Sequence, residues 1–579
     1  MKTIKNYKKH IILTTALLLT IGLAGCSQTS PQMPTGDLPA PPDQQQQNTG
    51  TSTTDETAYS AVKISDFDMS LSKKDMNSEY DEATATKITF SGETATVNGS
   101  GTTVSEKKVT IKEAGTYILS GSGEGQLLIE LADDSQKVQL VFLNLTLSNS
   151  NGAAILVGSA DKVIFTVPDG TTNTLSDGKS YTETYGESEV DAAVFSKEDL
   201  SITGTGTLIV NGNFSHGIVS KDDLVIYQTT VNVSAAENGI SGKDSLLIVE
   251  ADINVTAGQD GLKSNNDEDD DKGYLYIAES DVNVTAGDKG IIGEKLVYIT
   301  SGNINVTSTD DSIHSNSTIQ IDGGNITVST SDDGIHADCL LTINGGDINV
   351  AKSNEGIEAE VITINDGNIS VTSSDDGLNC NGTSSSAANS QFGRGGMMDT
   401  NSNAVLTING GTLTVNAQGD GLDSNGYLVI NDGTVYVYGP TNSGNGSIDA
   451  GISSTINGGT LIALGSSGMN ERFGSVSQGT IIVDVSNQRA GSVFELVDAS
   501  GNTVLRTTAI KNFSNITVSS PDIKDGQTYT IKVDGSTVTT VTMNGLQYSN
   551  ASGMGGGGNK SGGGNPGGGG QRGNRSTDI

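Results

Sequence analysis

Carboxylates recur in this chain at one fixed point of a repeat of about 22 residues. The segments Glu237-Asn-Gly-Ile240, Gln259-Asp-Gly-Leu262, Asp310-Asp-Ser-Ile313, Asp332-Asp-Gly-Ile335, Asn354-Glu-Gly-Ile357, Asp375-Asp-Gly-Leu378 and Gly419-Asp-Gly-Leu422 share the place. A constant period of this size is the mark of a solenoid, which stacks equivalent positions into rows. Asp310, Asp311, Asp332, Asp333, Glu355, Asp375 and Asp376 then line one edge, with Asp338 and Glu360 three residues past their anchors. Neighbouring coils lie about 4.8 Å apart, too close for bare carboxylates. A calcium ion with oxygens at about 2.3–2.6 Å bridges that gap, and an oxygen donor set without thiolate favours calcium over zinc. The competing account is turn chemistry, because Asp before Gly suits any tight corner. His314 and His336 stack on adjacent coils; a two-histidine metal site is weighed against exposed polar strand residues, and exposure is expected.

The elements that must hold these groups are short strands. Each unit carries an L-x-I alternation (Leu224/Ile226, Leu246/Ile248, Ile319/Ile321, Leu341/Ile343), a turn such as Asn344-Gly-Gly346, and an I-x-V alternation (Ile253/Val255, Ile304/Val306, Ile348/Val350). Period-two alternation over three or four residues reads as strand, and the Gly-rich turns supply positive φ. The intervening Asn254, Asn283, Asn305 and Thr327 should face water. Three strands per coil give an all-β fold, a right-handed parallel β-helix of ~22-residue coils with a small C-terminal β cap. Leucine-rich repeats share the period but need another consensus, and the calcium-binding nonapeptide roll needs a period of nine. Glycine at 75 of 579 residues and no Trp suit thin coils with aliphatic stacks.

Outside the repeat, residues 1–26 read as a lipoprotein signal. Lys2, Lys5, Lys8 and Lys9 precede an apolar run ending in Leu23-Ala-Gly-Cys26, too short for a membrane span. Cys26 is the expected lipidation site, placing the chain on the extracellular face of a bacterial membrane. Residues 27–58 are expected to form a disordered tether with a reach of about 30 Å. Residues 59–193 read as capping strands and irregular first coils, 194–479 as the regular helix, 480–548 as a β cap and 549–579 as a Gly-rich disordered tail. Cys339 and Cys380 sit at different points of the repeat and are expected as buried, unlinked thiols. The net charge of −36 disfavours nucleic acid as a partner; a monomer is expected.

Two insertions interrupt the coils at the same corner, one holding Asn265-Asn-Asp-Glu-Asp-Asp-Asp271 and one covering Gly382 to Asn403. Insertions on one face mark a binding face, here a trough about 24 Å long beside the carboxylates. Tyr276 and Tyr298, stacked outward on adjacent coils, are candidate sugar platforms. Lys263 is the one base beside an acidic run; a charge partner is the alternative reading.

Asn173-Thr-Leu-Ser-Asp-Gly178, Gly204-Thr-Gly-Thr-Leu208, His216-Gly-Ile-Val-Ser-Lys221, Asp332-Asp-Gly-Ile-His-Ala-Asp338 and Gly458-Gly-Thr-Leu-Ile-Ala-Leu-Gly465 resemble bacterial surface proteins carrying a carbohydrate-binding parallel β-helix. The match runs from about Ala61 to Met469. The resemblance implies a right-handed helix similar to pectate lyases, calcium in the acidic turns, and binding of cellulose or an acidic polysaccharide such as polygalacturonate. By motif it favours Asp332, Asp333 and Asp338 as metal positions; the other double acids carry Asn316 and Asn381 where Asp338 stands. The expectation is non-catalytic polysaccharide binding. The alternatives are a calcium-dependent lyase with Lys263 as base and a structural stalk or adhesin.

Overall fold

The computed structural model describes residues 60–381 and 400–551. Cys26, the signal, the tether, most of the second insertion and nearly all of the Gly-rich tail lie outside them. Two compact units, Met1–Ala61 and Val62–Ile579, are distinguished, and the architecture below is that of the second.

The unit is built of strands, most of them in one 45-stranded sheet. Pairing follows the repeat. Leu224 lies beside Leu246 and Leu246 beside Leu275; Val231 beside Ile253 and Ile253 beside Val282; Ile291 beside Ile313 and Ile313 beside Ile335. These are three separate series of parallel strands, one for each apolar alternation, and they give a long all-β solenoid-like stack. Parallel stacking begins well before residue 194: Ile88 pairs with Leu119, Leu127 with Ile155 and Ile155 with Val194. The first rungs are irregular in length, which hid their equivalence in the sequence.

The inward Ile, Leu and Val of all three series merge into one continuous cluster from Ile88 to Ile482. Each apolar stack is a ladder of like side chains, so burial accumulates rung by rung. The second Gly of the turn does take positive φ, as at Gly324 (103°) and Gly346 (103°). Its preceding Asn does more than turn the chain. Asn365 Nδ2 donates to Asn344 Oδ1 (2.7 Å), Asn409 to Asn365 (2.8 Å) and Asn431 to Asn409 (2.7 Å), an amide ladder that fixes the spacing of the corners.

At the C-terminal end the stack changes direction. Thr460–Gly465 and Gly479–Gln488 both pair antiparallel with Phe513–Ser520, and a 4-stranded antiparallel sheet follows with its own apolar cluster around Phe494, Tyr529 and Ile531. Antiparallel pairing blocks further parallel addition to the last rung. Cys339 and Cys380 are buried, with no disulfide between them.

An N-terminal strap crosses the L-x-I face. Phe67, with Val62, Ile64, Met69 and Leu71, packs on Val225, Leu247, Tyr274 and Leu296. It is pinned by Asp75, 3% exposed, which accepts from Lys162 Nζ (2.9 Å), Ser201 Oγ (2.5 Å) and Ser72 N–H (2.8 Å).

Candidate functional site

The acidic edge is positioned by the corner before each short strand of the third series, such as Ile313–Ser315, Leu378–Cys380 and Leu422–Ser424. The Gly ahead of most anchors is there for space; Ser312 and Ser447 stand in its place before Ile313 and Ile448. A Cβ on Gly356 or Gly377 would meet the Val371 or Val415 methyl at 2.2 Å and the next coil's carbonyl at 2.2–2.5 Å. The corner chain therefore lies against the core, and the residue before the Gly is held in register from coil to coil. The Asp-Gly pairs are packing devices at this corner, not positive-φ turns.

Along this edge the residues fall into two chemically different halves. In the first, nitrogen meets oxygen. Lys289 Nζ lies 2.8 Å from Asp310 Oδ2 and 2.9 Å from Asp311 Oδ2. His314 Nδ1 lies 2.8 Å from Asp311 Oδ2, and His336 Nδ1 lies 3.4 Å from both Asp311 Oδ2 and Asp333 Oδ2. Burial alone would raise the Asp311 carboxyl, but the two imidazoles outweigh it and hold it far below the usual range. The Asp310 carboxyl, raised by burial, is brought below its usual value by Lys289. Asp332 and Asp338 are pushed up, by burial first, and Asp333 to about 6. Two expectations are corrected here. His314 is only 7% exposed, because the outward column it occupies is walled by Asp311 and by His336, whose ring stacks edge-on at 5.0 Å. Asp310 and Asp311 do not stand as bare carboxylates, because Lys289 from the preceding coil reaches both.

The second half is oxygen only. Asp376, Asp420 and Asp423 bring carboxylate oxygens within 4.8 Å of one another, and Asp449 pairs in register with Asp423. Among the described residues no ion pair reaches Asp376, Asp420, Asp423, Asp449 or Glu471. Burial, then mutual repulsion, pushes Asp376 to about 6, Asp420 to about 7 and Asp423 to about 8. Burial and Glu355 push Glu358 to about 10, and burial and Asp449 push Glu471 to about 7. Between these groups lies Asn379, 5% exposed, paired in register with Glu358 on one side and Asp423 on the other. Its Nδ2 donates to Glu355 Oε2 (2.6 Å), and its Oδ1 has no partner. Asp375, by contrast, is exposed. Asp420 stands in the repeat segment Gly419-Asp-Gly-Leu422 but was not expected as a metal ligand, and Glu358, Asp423, Asp449 and Glu471 were missed in the sequence. The signal was the column one residue past each anchor: His314, His336, Glu358, Asn379, Asp423, Asp449.

The remaining candidates are placed as follows. Lys263 Nζ is held by Asp260 Oδ2 at 2.7 Å, the charge-partner geometry. Tyr276 and Tyr298 do stack, with centroids 5.5 Å apart, but both are half-buried against the strap, and Tyr298 donates to Asp322 Oδ2 (2.5 Å). The first insertion folds back on the body: Lys272 pairs with Asp244, and Asn266 Nδ2 donates to Asp244 Oδ1 (2.6 Å).

An open groove of about 640 Å³ lies on the I-x-V face. Asn232, Asn254, Asn283 and Asn305 form its floor, flanked by Thr256, Thr285 and Thr307. The asparagines are joined head to tail: Asn254 Nδ2 donates to Asn232 Oδ1 (3.0 Å), Asn283 to Asn254 (3.1 Å) and Asn305 to Asn283 (3.0 Å). The trough expected beside the carboxylates has as one wall the second insertion, of which residues 382–399 lie outside the described residues.

Residues 105–356 match the family model described as carbohydrate-binding domain-containing protein. A carbohydrate-binding domain-containing protein of Acetivibrio thermocellus is 34% identical over 152 residues, 26% of this chain and 53% of that protein. The chain thus spans about half the length of that curated relative. The solved structure of the polysaccharide lyase-like protein from C. thermocellum, a gadolinium derivative, aligns at 30% identity over 45% of this chain and 96% of its own, with a TM-score of 0.36. Over residues 105–356, which include the groove and the nitrogen-containing half of the acidic edge, this chain is similar to carbohydrate-binding domain-containing proteins.

Proposed function

We propose that this chain binds a polysaccharide without cleaving it, along the groove on the I-x-V face. The observation that carries the reading is the groove itself, open and lined at every rung by the same amide and hydroxyl groups. A repeated polar floor matches a polymer of repeated hydroxyls better than a single small molecule. The family match over residues 105–356 supports it. We further read the three strand series as closing into a right-handed β-helix of about 22 residues per coil, the hand that parallel crossovers take.

Among the described residues that line the groove there is no base for cleavage. A lyase needs a cationic side chain free to take a proton beside the substrate carboxylate, and Lys263 is engaged by Asp260. The triple substitution Asn254→Ala, Asn283→Ala, Asn305→Ala removes three of the four floor amides. At about 1 kcal/mol per hydrogen bond, retention on insoluble cellulose or polygalacturonate should weaken roughly a hundredfold. Unchanged retention of the triple variant sinks the groove reading. Unsaturated sugar products that disappear in Lys263→Ala would establish the lyase instead, and absence of binding to any glycan leaves the stalk.

Calcium belongs to this proposal at the oxygen-only half of the edge. The donor set fits it: carboxylates of Asp376, Asp420 and Asp423, with the partnerless amide oxygen of Asn379 beside them. Calcium takes oxygens and tolerates irregular geometry. Held there, it supplies charge through which an acidic glycan could approach so acidic a chain. The exposed Asp375 and the neighbouring Glu355 flank the same place. Asp310, Asp311, Asp332, Asp333 and Asp338 stand in the half that already contains nitrogen partners.

Cys26 remains our proposed lipid anchor, holding the solenoid at the outer face of the membrane. Radiolabelled fatty acid should enter the full chain and be absent from Cys26→Ala; equal incorporation in both rejects the anchor.

A further inference from the structure

We propose that Asp311, His314 and His336 form a binding site for a divalent transition metal of the zinc class, separate from any calcium on the carboxylates farther along the edge. The three residues come from two adjacent coils, and their ligand atoms all lie within 4.8 Å of one another.

The argument begins with the outer nitrogen of His314. Asn316 Nδ2 donates to Glu294 Oε1 (2.8 Å), so Asn316 Oδ1 is an acceptor. His314 Nε2 stands 2.7 Å from that oxygen and must therefore carry the hydrogen. In a neutral imidazole the other nitrogen then presents a lone pair. That nitrogen, Nδ1, is buried and lies 2.8 Å from Asp311 Oδ2, an ion pair if the ring is protonated and without a hydrogen bond if it is not. A lone pair facing a carboxylate oxygen across that distance is repulsive unless a cation lies between the two.

His336 repeats the arrangement one coil on. Its Nε2 is turned toward Asp338 Oδ1 (3.5 Å), and its Nδ1 toward Asp311 and Asp333 (3.4 Å each). An outer partner on one ring nitrogen and a convergent inner nitrogen is how metal-bound histidines are oriented. Of the inner separations, that of His336 Nδ1 from Asp311 (3.4 Å) matches one ion's coordination shell, and that of His314 Nδ1 (2.8 Å) is slightly shorter. Ligands at about 2.0–2.2 Å around one ion stand roughly 3.0–3.5 Å apart. Two imidazoles and a carboxylate select zinc, iron, nickel or copper over calcium, which takes oxygens. Lys289, which shares Asp311 Oδ2, also reaches Asp310, and a metal-bound carboxylate oxygen retains a lone pair for it.

The rival account is a proton in place of the metal, with His314 as an imidazolium in an ion-pair cluster. Cobalt(II) separates the two, because imidazole-bound cobalt absorbs in the visible. The full chain, stripped with chelator and dialysed, is titrated with cobalt(II). Visible bands should saturate at one equivalent and persist in a large excess of calcium. His314→Gln and His336→Gln should each lower the affinity more than tenfold. Asn316→Ala, which touches only the outer nitrogen, should lower it about 10–100-fold. Circular dichroism like that of the wild type shows that each variant is folded. Absence of visible bands at one equivalent, bands that survive both histidine substitutions, or displacement by calcium overturns the site. None of these outcomes bears on the glycan groove, so the two readings fail separately.

Discussion

Replacing Asp75 with Ala should release the N-terminal strap, lowering the free energy of its detachment by about 3 kcal/mol. The carboxylate is buried between Lys162 Nζ (2.9 Å), Ser201 Oγ (2.5 Å) and the Ser72 N–H (2.8 Å). Removing one partner of a buried pair leaves an uncompensated charge, at a cost of about 3–5 kcal/mol. The lower end applies because Lys162 keeps Asp199 at 3.4 Å. Local opening is the right observable, since a stack of rungs need not unfold as one unit. Proteolytic cleavage within residues 62–77 under native conditions should accelerate roughly a hundredfold, and Asp75→Ala with Lys162→Met should recover part of the loss. A rate within threefold of wild type rejects the pin.

The pH dependence follows with a definite sign. Burial would raise the Asp75 carboxyl, but Ser201, Ser72 and Lys162 together bring it below its usual value. A depressed carboxyl stabilises above its unfolded pKa, and the contribution disappears as pH falls through the depressed value. The strap should therefore hold at neutral pH and loosen below about pH 4. Tyr276 and Tyr298 lie against it, so their exposure should rise in the same acid range.

The strap also shows what the sequence could not reveal. Asp75 and Ser201 are joined across 126 residues, and no local pattern links them. The repeat was legible because stacked rungs force the same alternation on every coil: Leu246 and Leu275, or Asn254 and Asn283, pair as the spacing predicts. So was the adjacency of His314 and His336. What the spacing did not contain was which neighbouring column closes over a side chain. Lys289 stands one coil before the first double acid and neutralises it. Tyr276 and Tyr298 were read in correct register, but the strap that half-covers them comes from outside the repeat. Of the carboxylates that crowd most severely, Asp420 lies in the visible repeat as a single acid, and Asp423 lies one residue past the anchor, where no doubled acid marks it. Crowding here comes from two columns side by side, the corner before the anchor and the strand after it.

That crowding sets the largest response to a ligand. In chelator the chain should become less stable as pH rises from about 5 to 8, and calcium should abolish the decline. Burial and mutual repulsion push Asp376 to about 6, Asp420 to about 7 and Asp423 to about 8. Unfolded carboxyls titrate near 4, so in this window the folded state holds more protons than the unfolded one. Stability then falls with rising pH until the highest of these values is passed. Calcium replaces the protons and removes the repulsion. At a hundredfold excess over its dissociation constant it should stabilise by about 2.7 kcal/mol, seen as a higher melting temperature at pH 8 and a smaller rise at pH 5, where protons compete. The double substitution Asp420→Asn, Asp423→Asn separates charge from structure. If the two carboxylates serve an ion, their removal should raise the melting temperature in chelator at pH 8 while cancelling most of the calcium response. A variant that melts below the wild type in chelator at pH 8 would show that the carboxylates stabilise the corner by themselves. A calcium shift equal to that of the wild type would place the ion elsewhere. The expected pair of results, a more stable apo chain that no longer responds to calcium, can arise only if burial of these acids is tolerated for the cation they hold.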